Sequence, residues 1–548
     1  MQHDREEANR QATDVTRRRF MTIGAQGALA LGGAGLLASC SRGSSPSSSV
    51  GTSTGGGKPV RGGTFRVGMI TAGSAETINP AHAVNNSDLL RIAQLYDNLF
   101  TVGPDVKTLV PALALSAEPN KNATVWTLKL RPNVKWHDGK AFGADDVVYT
   151  LRSWADPNNN AHGQVANLVK FNAVRKIDQL TVEVPLLIPA GQFPSVLTFN
   201  QQCVIQSGTS QAQVNSHPVG TGPFKFVSFN PGQQSVFARN PDYWQEGKPY
   251  VDKVIVNSSF TDENSRENAL LSGAIDIAPI LPPLVAKSLE SSSQATLLRS
   301  PSVVQYWFLM RVDQGPFADN RVRQAMKLIA DRPALVTGAL AGYGTVANDL
   351  LGVDTQYYAS DLPQRHQDIE QAKFLLKKAG QENFSFTLPT CNALPGFNPS
   401  ATLFAQQAAQ AGVKVNVQIV SANTYYTPSG GFLKRPIGLD YGAPFQSLSE
   451  VYRTFLTSGS PFNETWWGHQ QPGGQAAWNL INEAISAVDP AKAEQLWHEV
   501  QVQQYNEGGI LGWTNSDDLA AVGKNVRGIS VGREGYMNYY RLLGGWLT

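Results

Sequence analysis

Cysteine is almost absent: Cys40, Cys203 and Cys391 are the only three in 548 residues. None has the CxxC or Cys/His spacing of a zinc site, so a structural metal knuckle and a disulfide-dense scaffold are both excluded. Charge is also sparse, at 16% Asp, Glu, Lys and Arg with a formal net charge of +2. No basic stripe stands out, which argues against a nucleic-acid surface. Long hydrophobic runs are missing too. The most apolar stretch, Ile23 to Ala38, is shorter than the ~20 residues a membrane span needs and contains five glycines. Catalytic signatures are lacking as well. There is no GxSxG, no Walker phosphate loop and no HExxH, because His498-Glu499 has no second His four residues on. Asp156, Asn158 and Asn160 imitate the start of a calcium loop, but Ala161 stands where glycine is needed and Asn167 where a bidentate Glu is needed. No nucleophile–base constellation emerges, and the chain reads as a non-enzyme without cofactor or metal.

What is present begins at the N-terminus. Thr16-Arg17-Arg18-Arg19-Phe20-Met21 fits a twin-arginine export motif, and Leu37-Ala38-Ser39-Cys40 fits a lipobox, in which small residues precede a lipidated Cys. Residues 1–39 are therefore expected to be a signal peptide, with Cys40 the lipid attachment point. Residues 41–57 are Ser/Gly-rich and cannot bury a core, so 40–57 is expected to be a flexible tether. Lipid, tether and large globular body make a layout for a protein held at a membrane face while it samples solution. The remaining chain is long enough for two or three domains. Cys203 and Cys391 lie far apart, and whether they pair is left open.

Trp126 to Leu151 (WTLKLRPNVKWHDGKAFGADDVVYTL) reads as strand, turn and helix. Trp126, Leu128 and Leu130 alternate with polar residues, Pro132-Asn133 breaks the strand, and His137-Asp138-Gly139 turns the chain. Asp145 and Asp146 then sit at the positive end of a helix. Ser87 to Phe100 has helical spacing. Residues 174–185 read as a hairpin. His217 to Phe224 is a glycine-rich turn followed by strands, and Phe317 to Arg332 reads as one long helix.

Four of these strings, at 126–151, 217–226, 239–256 and 317–332, occur in the order found in the peptide/nickel-type (family 5) solute-binding proteins of ABC importers, which the chain resembles from about Gly62 to Gly545. The resemblance implies an α/β, two-lobed, type II venus-flytrap fold with an extra domain inserted in the first lobe. It implies lobe I at 58–102, 213–297 and 516–548, an inserted subdomain at 103–212, and lobe II at 298–515, with hinge crossings near 213 and 297. The implied partners are a small-molecule or peptide ligand, an ABC permease and, through the lipid, a membrane. The expected state is a monomer on the outer face of the cytoplasmic membrane.

The resemblance also places candidate ligand residues. Asp440-Tyr441-Gly442-Ala443-Pro444 matches an Asp-Tyr-x-x-Pro pattern whose Asp pairs with a ligand α-ammonium in peptide-binding relatives. A desolvated ammonium needs a carboxylate, which supports the carry-over. Gly438 is expected to admit a ligand backbone by strand addition. Lys434 or Arg435, one of the two by alternation, is expected to meet a ligand carboxylate. Asn85 and Asn86 lie in a loop that touches ligand in the family. Trp466 and Trp467 are candidates for a stacking wall. Tyr425 stands just after the region where many relatives carry a Trp that this chain lacks. That gap, and Arg311 where relatives have an Asn, keep a sugar, opine or metal chelate open beside a peptide. A non-transport envelope or signalling role is the further alternative.

The anchoring expectation is directly testable. Mass spectrometry of protein from its native membrane should find lipid on Cys40, and Cys40→Ala should release a folded, unlipidated body. Native protein with an unmodified Cys40, or with an N-terminus upstream of it, would refute the lipobox.

Overall fold

The computed structural model describes residues 57–548 apart from positions 104, 393, 428–430, 443–446, 459, 461, 470–473 and 536–539. The export motif and Cys40 lie outside the described residues. The strands used below, numbered in chain order, are β1 Thr64–Ile70, β2 Ala114–Pro119, β3 Val125–Leu130, β4 Arg175–Asp178, β5 Thr181–Pro185, β6 Phe224–Asn230, β7 Gln234–Arg239, β8 Lys253–Phe260, β9 Ile277–Ala278, β10 Ala295–Met310, β11 Gly344–Val346, β12 Ser385–Thr390, β13 Lys414–Ile419, β14 Ile437–Tyr441 and β15 Ile510–Gly523. The helices are α1 Asn86–Leu95, α2 Ala144–Ser153, α3 Asn320–Ile329, α4 Leu448–Leu456, α5 Gln475–Ser486 and α6 Pro490–Glu507.

A nine-stranded mixed sheet runs in the order β14-β10-β15-β9-β1-β8-β7-β6, with β11 added beside β15. Its two long members, β10 and β15, pair antiparallel from Ala295↔Gly523 to Leu309↔Ile510. Their register breaks between Pro301 and Gln305 and again between Tyr306 and Trp307. On one side of the break, Leu298, Ala520 and Val522 join a core with Phe65, Val67 and α1. On the other, Tyr306, Phe308, Met310, Leu511 and Trp513 join a second core with Val322 and Met326 of α3. One strand pair therefore belongs to both halves. The crossing expected near residue 297 falls within β10, and its irregular part lies a few residues further on.

A separate four-stranded sheet, β2-β3-β5-β4, carries α2 against it. Here the expected alternation of Trp126, Leu128 and Leu130 is buried, and 174–185 forms the expected β4–β5 hairpin. Two helix expectations differ in extent. The helix expected from Ser87 to Phe100 stops at Leu95, and Phe100 enters a short strand. The long helix expected over 317–332 ends at Ile329, because Asp331 N-caps a new helix beginning at Arg332.

Each sequence block has a physical task. In 317–332, Asn320, Arg323, Gln324 and Lys327 share one face of α3. Asn320 and Gln324 donate to the carbonyl of Asn506 at 3.0 and 2.5 Å, Arg323 to that of Glu507 at 2.6 Å, and Lys327 to that of Tyr505 at 3.1 Å. Two cations and two amides thus satisfy the orphan carbonyls at the negative end of α6. Burial lowers the Lys327 ammonium to about 7.

The other three blocks meet at one turn. His137 accepts from the Gly220 N–H on Nδ1 at 3.1 Å and lies 3.0 Å from the Gly222 carbonyl through Nε2. The ring is therefore neutral with its proton on Nε2. Gly220 and Gly222 pack so tightly on the end of α1 that a Cβ at either would overlap the Leu95 carbonyl. Between them Thr221 donates to Asp97 at 3.0 Å, and Tyr243 and Trp244 donate to the same carboxylate, each at 3.0 Å. His137 is thus a structural clamp on the glycine turn. Because Asp97 is buried and serves three donors, Asp97→Ala should cost about 3 kcal/mol, the scale of leaving buried donors unpaired. Asp97→Asn should recover part of it. Denaturant unfolding of the three proteins measures this, and an unchanged midpoint would refute the hub.

Candidate functional site

β14 is an edge strand, buried along its whole length, paired antiparallel with β10 as Trp307↔Asp440, Phe308↔Leu439 and Leu309↔Gly438. Alternation divides it. Ile437, Leu439 and Tyr441 enter the second core, whereas Gly438 and Asp440 stand opposite Leu309 and Trp307, which belong to the core containing α4, α5 and the four-stranded unit. Asp440 and Tyr441 are thus adjacent in sequence but belong to different faces.

Asp440 is 3% exposed. Its Oδ1 accepts the Tyr441 N–H at 2.9 Å and the Tyr426 hydroxyl at 3.3 Å. Ala443 and Pro444 of the matched motif lie outside the described residues. Tyr425, wholly buried, places its hydroxyl against Leu439, donating to the carbonyl and accepting from the N–H, both at 2.7 Å. These are backbone groups that an additional strand would need. The inner edge of β14 is held by β10, the outward N–H and carbonyl of Leu439 by Tyr425, and the Tyr441 N–H by Asp440.

Arg435 completes the cluster. Its guanidinium donates to Glu464 at 2.8 Å and to the Tyr425 carbonyl at 3.2 Å, and lies over the Tyr425 ring with 3.7 Å to the centroid. Arg435 and Glu464 are both buried, so the ion pair is desolvated. Asp440 and Glu464 also favour the Arg435 charge, against its burial. The space a Cβ at Gly438 would need is filled by the Arg435 guanidinium. Glycine at 438 therefore seats an arginine, and the sequence expectation of a ligand backbone at that point has no open edge in this conformation. Lys434 is exposed, and its carbonyl accepts from Gln314 at 2.8 Å. Of the two cations, Arg435 faces inward, where Glu464 already engages it.

The remaining candidates fall elsewhere. Trp467 is buried in the core of α4 and α5. Trp466 is half-buried between the His469 ring, stacked at 4.4 Å and 17°, and the Arg311 guanidinium, 4.1 Å from its centroid. The pair is thus one core residue and one residue stacked on protein side chains. Asn85 N-caps α1 and donates to Asp88 at 2.7 Å, and Asn86 accepts from the Tyr540 hydroxyl at 2.7 Å. Both are engaged by protein groups at the start of α1. Cys203 and Cys391 are buried, unbridged, and lie in different cores. Among the described residues no cluster of His, Cys, Asp and Glu could hold a metal, and no helix is long and apolar enough to cross a membrane.

Sequence reasoning missed Glu464, Tyr426 and Trp307. Glu464 reaches Arg435 across 29 positions, and no local pattern announces such a contact.

These features define a two-lobed α/β binding protein of the periplasmic type, with a strand pair common to both lobes. The model for bacterial extracellular solute-binding proteins, family 5, matches residues 108–452, and the chain belongs to that family of ABC-importer binding proteins. It is 29% identical to the glutathione-binding protein GsiB of Pectobacterium atrosepticum over 451 residues, covering 79% of this chain and 85% of the relative. It is 27% identical to GsiB of Escherichia coli K12, covering 82% of this chain and 89% of the relative. Among solved structures, the binding protein CtaP of Listeria monocytogenes superposes with a TM-score of 0.78 at 24% identity, covering 89% of this chain and all of that one. DppA of Helicobacter pylori, in complex with the peptide STSA, superposes with 0.72 at 19% identity, covering 89% and 98%. The family is one of substrate-binding transport proteins.

The neighbourhood of Asn85 carries a pH signature. Asp88, wholly buried in the first turn of α1, accepts from the Thr77 N–H at 2.8 Å and pairs with Arg91 at 3.2 Å, while Arg91 also holds Glu76 at 2.6 Å. Burial raises the Asp88 carboxyl to about 7, outweighing the Thr77 donor and the Arg91 charge. A folded value above the unfolded one means that its stability contribution is full below about pH 4 and is lost as pH rises toward 7. The stability of the native protein relative to Asp88→Asn should therefore fall across pH 4 to 7 in denaturant titrations. A constant difference over that window would refute the shift.

Proposed function

We propose that this chain is an exported, lipid-anchored binding protein that captures a short peptide bearing a free α-ammonium and hands it to an ABC permease. The lobes close on ligand about the β10–β15 crossing, and the closed, loaded form is the one the permease recognises. The observation that carries the reading is Asp440, a carboxylate buried on an edge strand whose Oδ1 accepts from the Tyr441 N–H and the Tyr426 hydroxyl. Such a group suits a cationic ligand end, because charge-assisted bonds in a desolvated site are strong. Relatives named for glutathione, and a structural neighbour holding a tetrapeptide, support the same chemistry. With the outward backbone groups of Leu439 already bonded to Tyr425, recognition rests mainly on the ends and side chains of the ligand.

Native mass spectrometry identifies the solute retained from cells. Calorimetry with glutathione, Ser-Thr-Ser-Ala and their N-acetylated forms then tests the anchor. Asp440→Asn keeps the shape and removes the charge. It should weaken the preferred peptide by about 30-fold or more, corresponding to roughly 2–5 kcal/mol for a truncated charge pair. Acetylation should weaken binding to the native protein and matter far less in the variant. Equal binding of free and acetylated peptide by both proteins would refute the assignment.

A further inference from the structure

The loop after β5 reaches from the four-stranded unit across to the helices that follow β14. The Gly191 N–H donates to the Ile485 carbonyl at the end of α5, at 3.0 Å. Gln192 accepts the Ser449 N–H at 3.3 Å, and the Ser195 and Ser447 hydroxyls lie 2.8 Å apart. Deeper in, Arg453 of α4 donates to the Gln164 carbonyl at 2.8 Å. Beneath these bonds Phe193, Val196 and Leu197 join one apolar cluster with Val451, Phe455 and Ile485. Ser447 is the N-cap of α4, the first helix after the strand that carries Asp440.

Gly191 is the tightest point of this seam. A Cβ there would overlap the Ala487 carbonyl oxygen and lie 2.9 Å from its carbon. Its backbone is not in the left-handed region, so the residue has no conformational need to be glycine. The missing side chain is required by the opposite wall alone. Each of these hydrogen bonds has a backbone group or a hydroxyl on at least one side, and none is a charge pair, so the polar rim of the seam can part without leaving a buried ion pair broken.

The geometry points to a clasp: the Gly191–Ser195 loop docks on the α4–α5 helices when the lobes close, and Gly191 is its positioning residue. A side chain at 191 is free of contacts when the lobes are apart and collides when they meet, so it raises the free energy of the closed state alone. Apparent ligand affinity falls with the closed fraction, without loss of any ligand contact. This rests on the capture-and-closure reading above, and its test uses no solute, so it stands or falls separately from the peptide assignment.

Ser195→Cys/Ser447→Cys, oxidised under mild conditions, traps the seam. Cross-linking should proceed readily, and small-angle scattering should give a smaller radius of gyration for the oxidised than for the reduced protein. Adding Gly191→Leu should slow cross-linking at least tenfold, with the circular dichroism melt of the single Gly191→Leu variant overlaying the native one. Should Gly191→Leu fail to fold, Gly191→Ala, whose single methyl already meets Ala487, carries the same comparison. Equal cross-linking rates with and without the substitution would overturn the clasp. So would identical radii for oxidised and reduced protein, which would make the seam a permanent part of one rigid body.

Discussion

The antiparallel pairing of β10 with β15 is the constraint on which the architecture depends. These are the longest strands described, at 16 and 14 residues, and each lends side chains to the first and second cores and to the core of α4 and α5. A continuous ladder would weld the halves together. The register breaks beside Pro301 and Tyr306 interrupt it where the chain passes from one core to the other, and a proline without an N–H together with a local bulge is a natural place for a sheet to bend. The same pair positions the candidate site, because β14 is aligned on β10 and Asp440 is placed opposite Trp307 by that register.

Around this axis, polar groups are buried where they hold elements in place. Asp97 gathers donors from two distant blocks, His137 pins the glycine turn, and α3 terminates α6 with four side chains. Asp349 does the same for Arg332 and Arg365, at 2.7 Å each. Every one of these groups is matched by a partner of suitable chemistry, the condition under which buried polarity is tolerated. The blocks that stand out in the sequence are thus mostly structural: they secure the frame.

At β14 one short strand serves two neighbours. Its odd-numbered side chains fill the second core and its even-numbered positions face the helices α4 and α5 and the four-stranded unit. Tyr425 and Asp440 bond the outward backbone groups at 439–441. Backbone groups held in this way are less available for unwanted strand addition. The clasp proposed at Gly191 meets the helix that follows this strand, so events at Asp440 and at the seam share one segment of chain.

The amino-acid pattern by itself determined the class and much of the local structure. Alternation over Trp126–Leu130, the 174–185 hairpin, the glycine turn at 217–224 and the apolar face of α1 depend on near neighbours, and these are the interactions that periodicity records. Ordered family blocks then carried the two-lobed fold. Tertiary structure alone decided the rest. Arg435 and Lys434 are equivalent in sequence, yet one pairs with Glu464 and the other meets solvent, because only the folded chain brings residue 464 to residue 435. Gly438 reads in sequence as room for a ligand backbone, and only the fold shows that the Arg435 guanidinium lies against it. Gly191 attracted no notice in sequence, since its requirement comes from a carbonyl almost 300 positions away. Contacts of that range depend on how two cores meet across a sheet, and no local pattern of polarity encodes the meeting.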